Sequence, residues 1–126
     1  KKFMQKYYMI VIKNLKMLLV LDESNSSNID SVNKIINNQF HKTILYFTAS
    51  WCGPCKVISP TVEALAKDDR FSGNVLVVKI DVDLFEDISG ECNISCMPTF
   101  QLYQNQKLVN KVEGADEQKL AQLFVQ

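Results

Sequence analysis

The chain contains few histidine, glycine and proline residues and has no excess of either charge, and these shortages exclude several classes of function. Its 126 residues include one histidine, four glycines and three prolines, and 14 basic side chains balance 14 acidic ones. A balanced charge gives no indication of a nucleic-acid partner. The sequence contains no internal repeat and no apolar run long enough to span a bilayer. Length and composition therefore predict one ordinary globular domain.

Histidine and cysteine usage narrows the chemistry further. The single histidine, His41, lies in a connection ahead of an apolar run, where we expect an exposed or loosely paired side chain and not a catalytic one. Four cysteines in a chain of this length are not needed to staple the core. Redox chemistry or metal binding is the better starting point, the metal alternative being zinc held by Cys52, Cys55, Cys92 and Cys96.

Two of the cysteines lie one helical turn apart, where a strand is predicted to give way to a helix. Residues 43–49 are β-branched and aromatic, and apolar residues over 57–66 recur at helical spacing. Free backbone N–H groups and the helix dipole stabilise a thiolate at such a point, so Cys52 is the predicted nucleophile. The two-residue spacer lets Cys55 reach the same sulfur, and Pro54 fits the first helical turn.

The remaining pattern predicts an α/β fold with a mixed sheet sandwiched by helices. Strand, helix and strand around the cysteines imply a right-handed crossover and a parallel pair. The predicted elements are a strand over 17–21 that could instead prolong a preceding helix, a polar loop at 22–28, a helix over 29–40, a strand over 43–49, a helix over 52–69 kinked by Pro60, a turn at 72–74, a strand over 75–81, a short helix over 84–91, a hairpin of 99–103 and 107–112, and a closing helix from Ala115.

Residues 1–16 precede the predicted domain of residues 17–126. Their apolar side chains recur at three- and four-residue steps, which predicts an amphipathic helix. Such a helix packs on its own domain or a neighbouring copy, or else docks on a membrane surface or a partner. The start also resembles the end of a signal sequence, although Lys13 and Lys16 interrupt it, and this favours a secretory or organellar compartment over the cytosol.

Four segments, in this order, resemble the thioredoxin family in its eukaryotic form, and the match extends from about residue 17 to the end. They are Trp51-Cys52-Gly53-Pro54-Cys55-Lys56, Lys79-Ile80-Asp81-Val82-Asp83, Cys96-Met97-Pro98-Thr99-Phe100 and Glu113-Gly114-Ala115. The resemblance implies the thioredoxin fold, a mostly parallel mixed sheet with an antiparallel C-terminal hairpin, flanked by helices. Abundant asparagine, lysine and isoleucine suggest A/T-rich coding, as in protozoan genomes.

The resemblance also implies how the site is built. In the family, the Met97-Pro98 bond would be cis and pack against the cysteine pair, and the backbone of Met97 would bind an extended substrate segment. A flat apolar surface around Cys52 would be formed by Trp51, Gly53, Pro54, Met97, Pro98, Gly114 and Ala115.

The implied activity is protein-disulfide reduction. The family resemblance implies no bound cofactor or metal, electrons from an NADPH-dependent thioredoxin reductase, disulfide-containing proteins as substrates, and a monomer or weak dimer. The alternative is a redox-active adaptor in a larger complex, for example in a secretory or protein-transport pathway, docked through residues 1–16.

One position departs from the family pattern. Five residues before Trp51, where thioredoxins typically carry a buried aspartate, this chain has Tyr46, while Lys79 matches the aspartate's usual lysine neighbour. Tyrosine, with an ordinary pKa of about 10, is a poor base at neutral pH. Our hypothesis is that attack by Cys52 is intact and resolution by Cys55 is slower. In the alternative, Tyr46 only fills the core with its hydroxyl hydrogen-bonded.

Cys92 and Cys96 are the remaining thiols. Their neighbourhood resembles that of extra cysteines in eukaryotic thioredoxins, which are regulatory or dimer-forming. We expect Cys92 to be a partly buried structural thiol, and Cys96 to lie beside the substrate surface as a candidate modification or intermolecular disulfide site.

Overall fold

The structure of the chain, a computed structural model, describes residues 18–20, 42–71 and 73–126. The predicted helices over 1–16 and 29–40, the loop at 22–28 and His41 lie outside these ranges. The five strands of the described part are β1 (Leu18–Val20), β2 (Lys42–Thr48), β3 (Val75–Asp81), β4 (Thr99–Gln104) and β5 (Lys107–Glu113), and its helices are α1 (Gly53–Lys67), α2 (Glu86–Glu91) and α3 (Glu117–Val125).

The strands form one mixed sheet in the order β1-β3-β2-β4-β5. Both β1 and β2 run parallel to β3, whereas β4 runs antiparallel to β2 and to β5. The predicted parallel pair around α1 and the C-terminal hairpin are therefore confirmed. Residues 18–20 form a strand, which decides between the two predictions made for that stretch.

Apolar runs in the sequence became the two central strands. Every residue of β2 after Lys42 is buried, as are the first four residues of β3, because helices and neighbouring strands cover both faces. The ring of Tyr46 stacks on Phe100 at 4.8 Å between centroids. Helix α3 adds Leu120, Leu123 and Phe124 to this core, as its apolar spacing predicts.

The helices begin and end close to the predicted positions. Helix α1 continues through Pro60. It ends where the N–H of Asp68 bonds to the carbonyl of Leu65. Helix α3 begins after Asp116, whose side chain accepts a hydrogen bond from the N–H of Lys119. Within residues 42–71 and 73–126, no helix has the length and hydropathy needed to cross a membrane.

Candidate active site

The first turn of α1 holds the cysteine pair. Cys52 is the N-cap residue, with extended backbone angles, and its Sγ accepts a hydrogen bond of 3.2 Å from the N–H of Cys55. No acidic residue occupies the first turn, and Pro54 lies there without a free N–H to lose. Cys52 and Cys55 form a disulfide, and both are buried. The N–H of Cys55 and the N-terminal end of the helix dipole thus face the sulfur of Cys52.

The loop before β4 lies against this pair. The Met97-Pro98 peptide bond is cis, as the family resemblance implies, and the Met97 side chain packs against the two cysteines and Ala49. The carbonyl oxygen of Met97 lies 3.8 Å from Sγ of Cys52. In the disulfide this sulfur carries no proton, so the approach is a contact; in the dithiol the same sulfur can donate to the carbonyl.

The end of β5 brings a third segment to the site. Glu113 pairs with Thr99 in the β4–β5 ladder, and the next residue, Gly114, donates its N–H to the carbonyl of Pro98 at 2.8 Å. Gly114 adopts a φ of +96°, which glycine tolerates and other residues rarely do. Ala115 follows as an exposed residue. The structure therefore joins Gly114 to the proline loop, as the family resemblance implies for the substrate surface.

Trp51 marks the exposed side of the site. Its side chain is 65% exposed, and its indole N–H donates to Oδ2 of Asp83 at 2.7 Å. This bond fixes one edge of a large apolar ring that otherwise faces solvent. Asp83 was not predicted as a site residue. It belongs to one of the four family-like segments, but nothing in its spacing indicates a contact 32 residues away along the chain.

A cavity lies on the other side of the cysteine pair. It has a volume of about 370 Å³, and its lining includes Tyr46, Cys55, Lys56, Ser59, Lys79 and Asp81. The Tyr46 hydroxyl donates to the backbone carbonyl of Cys55 at 3.4 Å, and the tyrosine is otherwise buried in the core. The core-filling role of Tyr46 is thus observed, and Lys79 lies beside it as the sequence predicts. Asp81 was not predicted as a site residue.

The two remaining cysteines occupy different environments. Cys96 is exposed, and the Thr99 hydroxyl donates to its carbonyl at 2.6 Å. Cys92 is half-buried; burial raises the pKa of its thiol, the charge of Glu91 adds to this, and a hydrogen bond with Tyr103 offsets part of it. Burial of the Tyr103 side chain, together with the charge of Cys92 and the hydrogen bond to it, raises the pKa of Tyr103 to about 12.

The four cysteines do not come together as a metal site. In the part of the chain that the structure describes, no group of three or more histidine, cysteine, aspartate or glutamate side chains is placed to hold a metal ion. Cys52 and Cys55 are instead paired with each other. The zinc alternative is therefore wrong for the arrangement described.

A sulfur pair at a helix N-terminus, closed by a cis-proline loop and bordered by an exposed tryptophan, defines a class of protein. It is a thiol–disulfide oxidoreductase, because the two sulfurs can exchange a disulfide with a substrate presented at that surface.

Comparisons with known proteins identify the family. The Thioredoxin family model matches residues 23–126. Thioredoxin of Ictalurus punctatus is 41% identical over 96 residues, which cover 75% of this chain and 89% of that protein. Thioredoxin of Gallus gallus is 46% identical over 77 residues, 61% of this chain and 70% of that one. The crystal structure of Fasciola hepatica thioredoxin superimposes with a TM-score of 0.74 at 34% identity, covering 85% of this chain and 96% of that one. The chain belongs to the thioredoxin family.

Proposed function

We propose that this protein reduces disulfides in other proteins, with Cys52 as the attacking thiolate and Cys55 as the resolving thiol. The observation that carries the proposal is the hydrogen bond from the N–H of Cys55 to Sγ of Cys52 at the start of α1. A hydrogen bond and a helix dipole directed at one sulfur favour its ionised form, which is the reactive nucleophile.

The reaction has two exchange steps. The Cys52 thiolate attacks one sulfur of the target disulfide, and the other target sulfur leaves with the electron pair and takes up a proton. Cys55 then loses its proton and attacks Sγ of Cys52, which breaks the mixed disulfide and releases the second target thiol. The target gains two electrons and two protons, and the protein is left with the Cys52–Cys55 disulfide.

The substrate surface is proposed from the residues around Cys52. It would comprise Trp51, Met97, Pro98, Gly114 and Ala115, with Gly53 and Pro54 in the first turn of α1. An extended target segment would pair with the backbone of Met97, as an added strand does, and would rest on the tryptophan ring. Such a surface recognises backbone shape more than side-chain identity, so it accepts varied target proteins.

Electrons for the next cycle are proposed to come from a thioredoxin reductase that uses NADPH. The disulfide product of each turnover needs a two-electron donor, and the domain carries out its exchange steps with sulfur alone. The other proposed partners are disulfide-containing proteins. The adaptor alternative would use residues 1–16 for docking, and these residues lie outside the described part of the chain, so it stays a prediction. The domain boundary at residue 17 and the monomeric or weakly dimeric state also stay predictions.

Tyr46 leads us to propose that resolution is the slow step. The phenol hydroxyl is held by the carbonyl of Cys55, and a neutral phenol is a weak base for a thiol proton. Attack by Cys52 does not depend on this group. Mixed disulfides should therefore form quickly and persist longer than in a protein with a carboxylate at this position.

The test is the rate at which the reduced protein cleaves a disulfide in a test protein, supplied with a chemical reductant. We expect turnover in the wild type and none above background in Cys52→Ser. In a single turnover of pre-reduced protein without added reductant, Cys55→Ser should release no second thiol and should accumulate the mixed disulfide. Activity that persists in Cys52→Ser would contradict the proposed nucleophile.

A further inference from the structure

The cavity beside Cys55 contains an ionisable group that the exchange steps above do not use. Asp81, at the end of β3, lines this cavity together with Cys55. Ser50, Lys56 and Leu84 line it too and are exposed, so the cavity is reachable from solvent. A volume of about 370 Å³ with several polar side chains is ample for water, which occupies about 30 Å³ per molecule in the liquid.

The register of the sheet explains why Asp81 reaches this place. Tyr46 pairs with Lys79, and Thr48 pairs with Asp81, in the parallel ladder between β2 and β3. Because side chains alternate along a strand, Lys79 and Asp81 lie on one face of the sheet and Ile80 on the other. Tyr46 on that face reaches the carbonyl of Cys55 in helix α1, so the register places the Asp81 carboxylate in the lining of the cavity that Cys55 also borders.

The other groups around the cavity are poor proton acceptors. The Tyr46 hydroxyl donates to a carbonyl, and the Lys56 and Lys79 ammonium groups are donors only. Asp81 is the one carboxylate among the lining residues. Its Oδ1 accepts the N–H groups of Asp83 and Leu84 at 2.8 and 3.3 Å, and these two hydrogen bonds hold the side chain in place.

We propose that Asp81 is the base for the resolving step, accepting the proton of the Cys55 thiol through water in the cavity. This inference rests on the proposed reductase function and adds a residue to its second step. The proton passes from Sγ of Cys55 to water and from that water to the Asp81 carboxylate. The Cys55 thiolate then bonds to Sγ of Cys52, the bond between Cys52 and the target breaks, and the target thiolate leaves and is protonated. Asp81 returns its proton to solvent.

The decisive variant is Asp81→Asn, which keeps an acceptor oxygen for the two N–H groups but cannot take up the proton. Reduced protein is mixed with excess disulfide target, quenched with acid at successive times, and the mixed disulfide is followed by mass spectrometry. We expect the rate of formation to be unchanged and the rate of decay to fall about tenfold or more. Asp87→Asn, which removes one negative charge from an exposed position of helix α2, is the matched control and should match the wild type in both rates.

The pH dependence of the decay is a second measurement, made on the wild type and then on Asp81→Asn. Between about pH 5.5 and 7.5, decay of the wild-type mixed disulfide should vary little, because a base takes the proton during the step. Without that base, the rate of decay should fall about tenfold for each unit by which the pH is lowered. The rate then follows the thiolate fraction, and the ordinary pKa of a thiol is about 8.5. Tyr46, Lys56 and Lys79 are the other titratable groups that line the cavity with Cys55. All three remain in Asp81→Asn, so the change in slope reports Asp81.

The outcomes separate this inference from the proposed function. A wild type that forms no mixed disulfide and cleaves no target overturns both. A wild type that turns over, with Asp81→Asn decaying equally fast and with the same pH slope, overturns the role of Asp81 alone. A tenfold-per-unit slope in the wild type also overturns that role. Slower decay in Asp81→Asn with a steeper slope, and neither change in Asp87→Asn, supports it.

Discussion

At the scale of single residues, Tyr46 distinguishes this chain from the usual family pattern. Its ring stacks on Phe100, and its hydroxyl bonds to the carbonyl of Cys55, so the residue has a full structural role. A carboxylate at the same place would lie next to the resolving cysteine and could take its proton without crossing the cavity. Stability and proton transfer therefore place opposite demands on this position.

We expect Tyr46→Asp to shorten the lifetime of the mixed disulfide by about tenfold, because the new carboxylate is a stronger base than a phenol. The variant should also lose a few kcal/mol of stability, since it removes a stacked ring and buries a charge. Acid-quench mass spectrometry gives the lifetime, and urea unfolding gives the stability. Tyr46→Phe is the matched control: it loses one hydrogen bond, about 1 kcal/mol, and should keep the wild-type lifetime. Equal lifetimes in wild type and Tyr46→Asp would contradict the slow-resolution hypothesis.

The two extra thiols should differ in reactivity. With Cys52 and Cys55 oxidised, iodoacetamide at pH 8 should modify exposed Cys96 about tenfold faster than Cys92, because burial and Glu91 raise the pKa of the Cys92 thiol. A raised thiol pKa means less thiolate at a given pH, so the rate at Cys92 should keep increasing as the pH rises. Peptide mass spectrometry separates the two sites.

Glu91→Gln tests the cause of that difference. Removing the negative charge should lower the pKa of Cys92 and speed its alkylation, while Cys96 stays unchanged. Equal alkylation rates at Cys92 and Cys96 in the wild type would show that exposure and charge do not control the reactivity of these thiols.

At the scale of elements, the site is an assembly of element ends. The N-terminus of α1, the loop before β4 and the end of β5 each supply part of the proposed substrate surface. The end of β3 supplies Asp81, and the loop after it supplies Asp83, the partner of Trp51. Each of these ends is held by a backbone or capping bond, such as the one from Gly114 to Pro98. A substitution that disfavours the backbone conformation at one of these ends should therefore lower the free energy of unfolding, even where the new side chain meets no other atom.

Two glycine substitutions should have opposite effects. Gly114→Ala should cost about 1 kcal/mol or more, because its φ of +96° disfavours any side chain although nothing lies within 4 Å of an added methyl group. Gly90→Ala, inside α2 and equally unobstructed, should gain about 0.5 to 1 kcal/mol by restricting the unfolded chain. Urea unfolding of each variant measures both effects. If both substitutions change the free energy of unfolding in the same direction, backbone conformation does not decide their effects.

At the scale of the whole molecule, the redox state of one short loop should alter global stability. The Cys52–Cys55 bond closes a loop with a sequence separation of three. Closing even so small a loop restricts the unfolded chain and should make the oxidised protein more stable than the reduced one by about 2 kcal/mol.

Urea unfolding with and without a reducing agent gives that difference. The double variant with serine at positions 52 and 55 provides the control, since its stability should not respond to the reductant. If oxidised and reduced wild type unfold at the same urea concentration, closing this loop does not stabilise the protein.

Much of the fold was predictable from local pattern. The nearly continuous apolar runs over 43–49 and 75–81 predict central strands, and the structure buries every residue of β2 after Lys42 and the first four residues of β3. Helical spacing predicts α1 and α3 to within a few residues. The predicted end of α1 was two residues too late, because the bond from Asp68 to Leu65 that closes the helix leaves no periodic trace in the sequence.

The sequence by itself determined the chemistry at the start of α1. Two cysteines one turn apart, after a strand and before a helix, are sufficient to predict a sulfur facing free N–H groups, since that arrangement depends only on neighbouring residues. The tertiary structure decided which distant residues join them. Asp83 reaches Trp51 across 32 residues, and Asp81 comes to the cavity of Cys55 through the register of β2 and β3. Register is set by how whole strands pack, and a shift of one residue would turn Asp81 to the opposite face, so no local pattern reveals it.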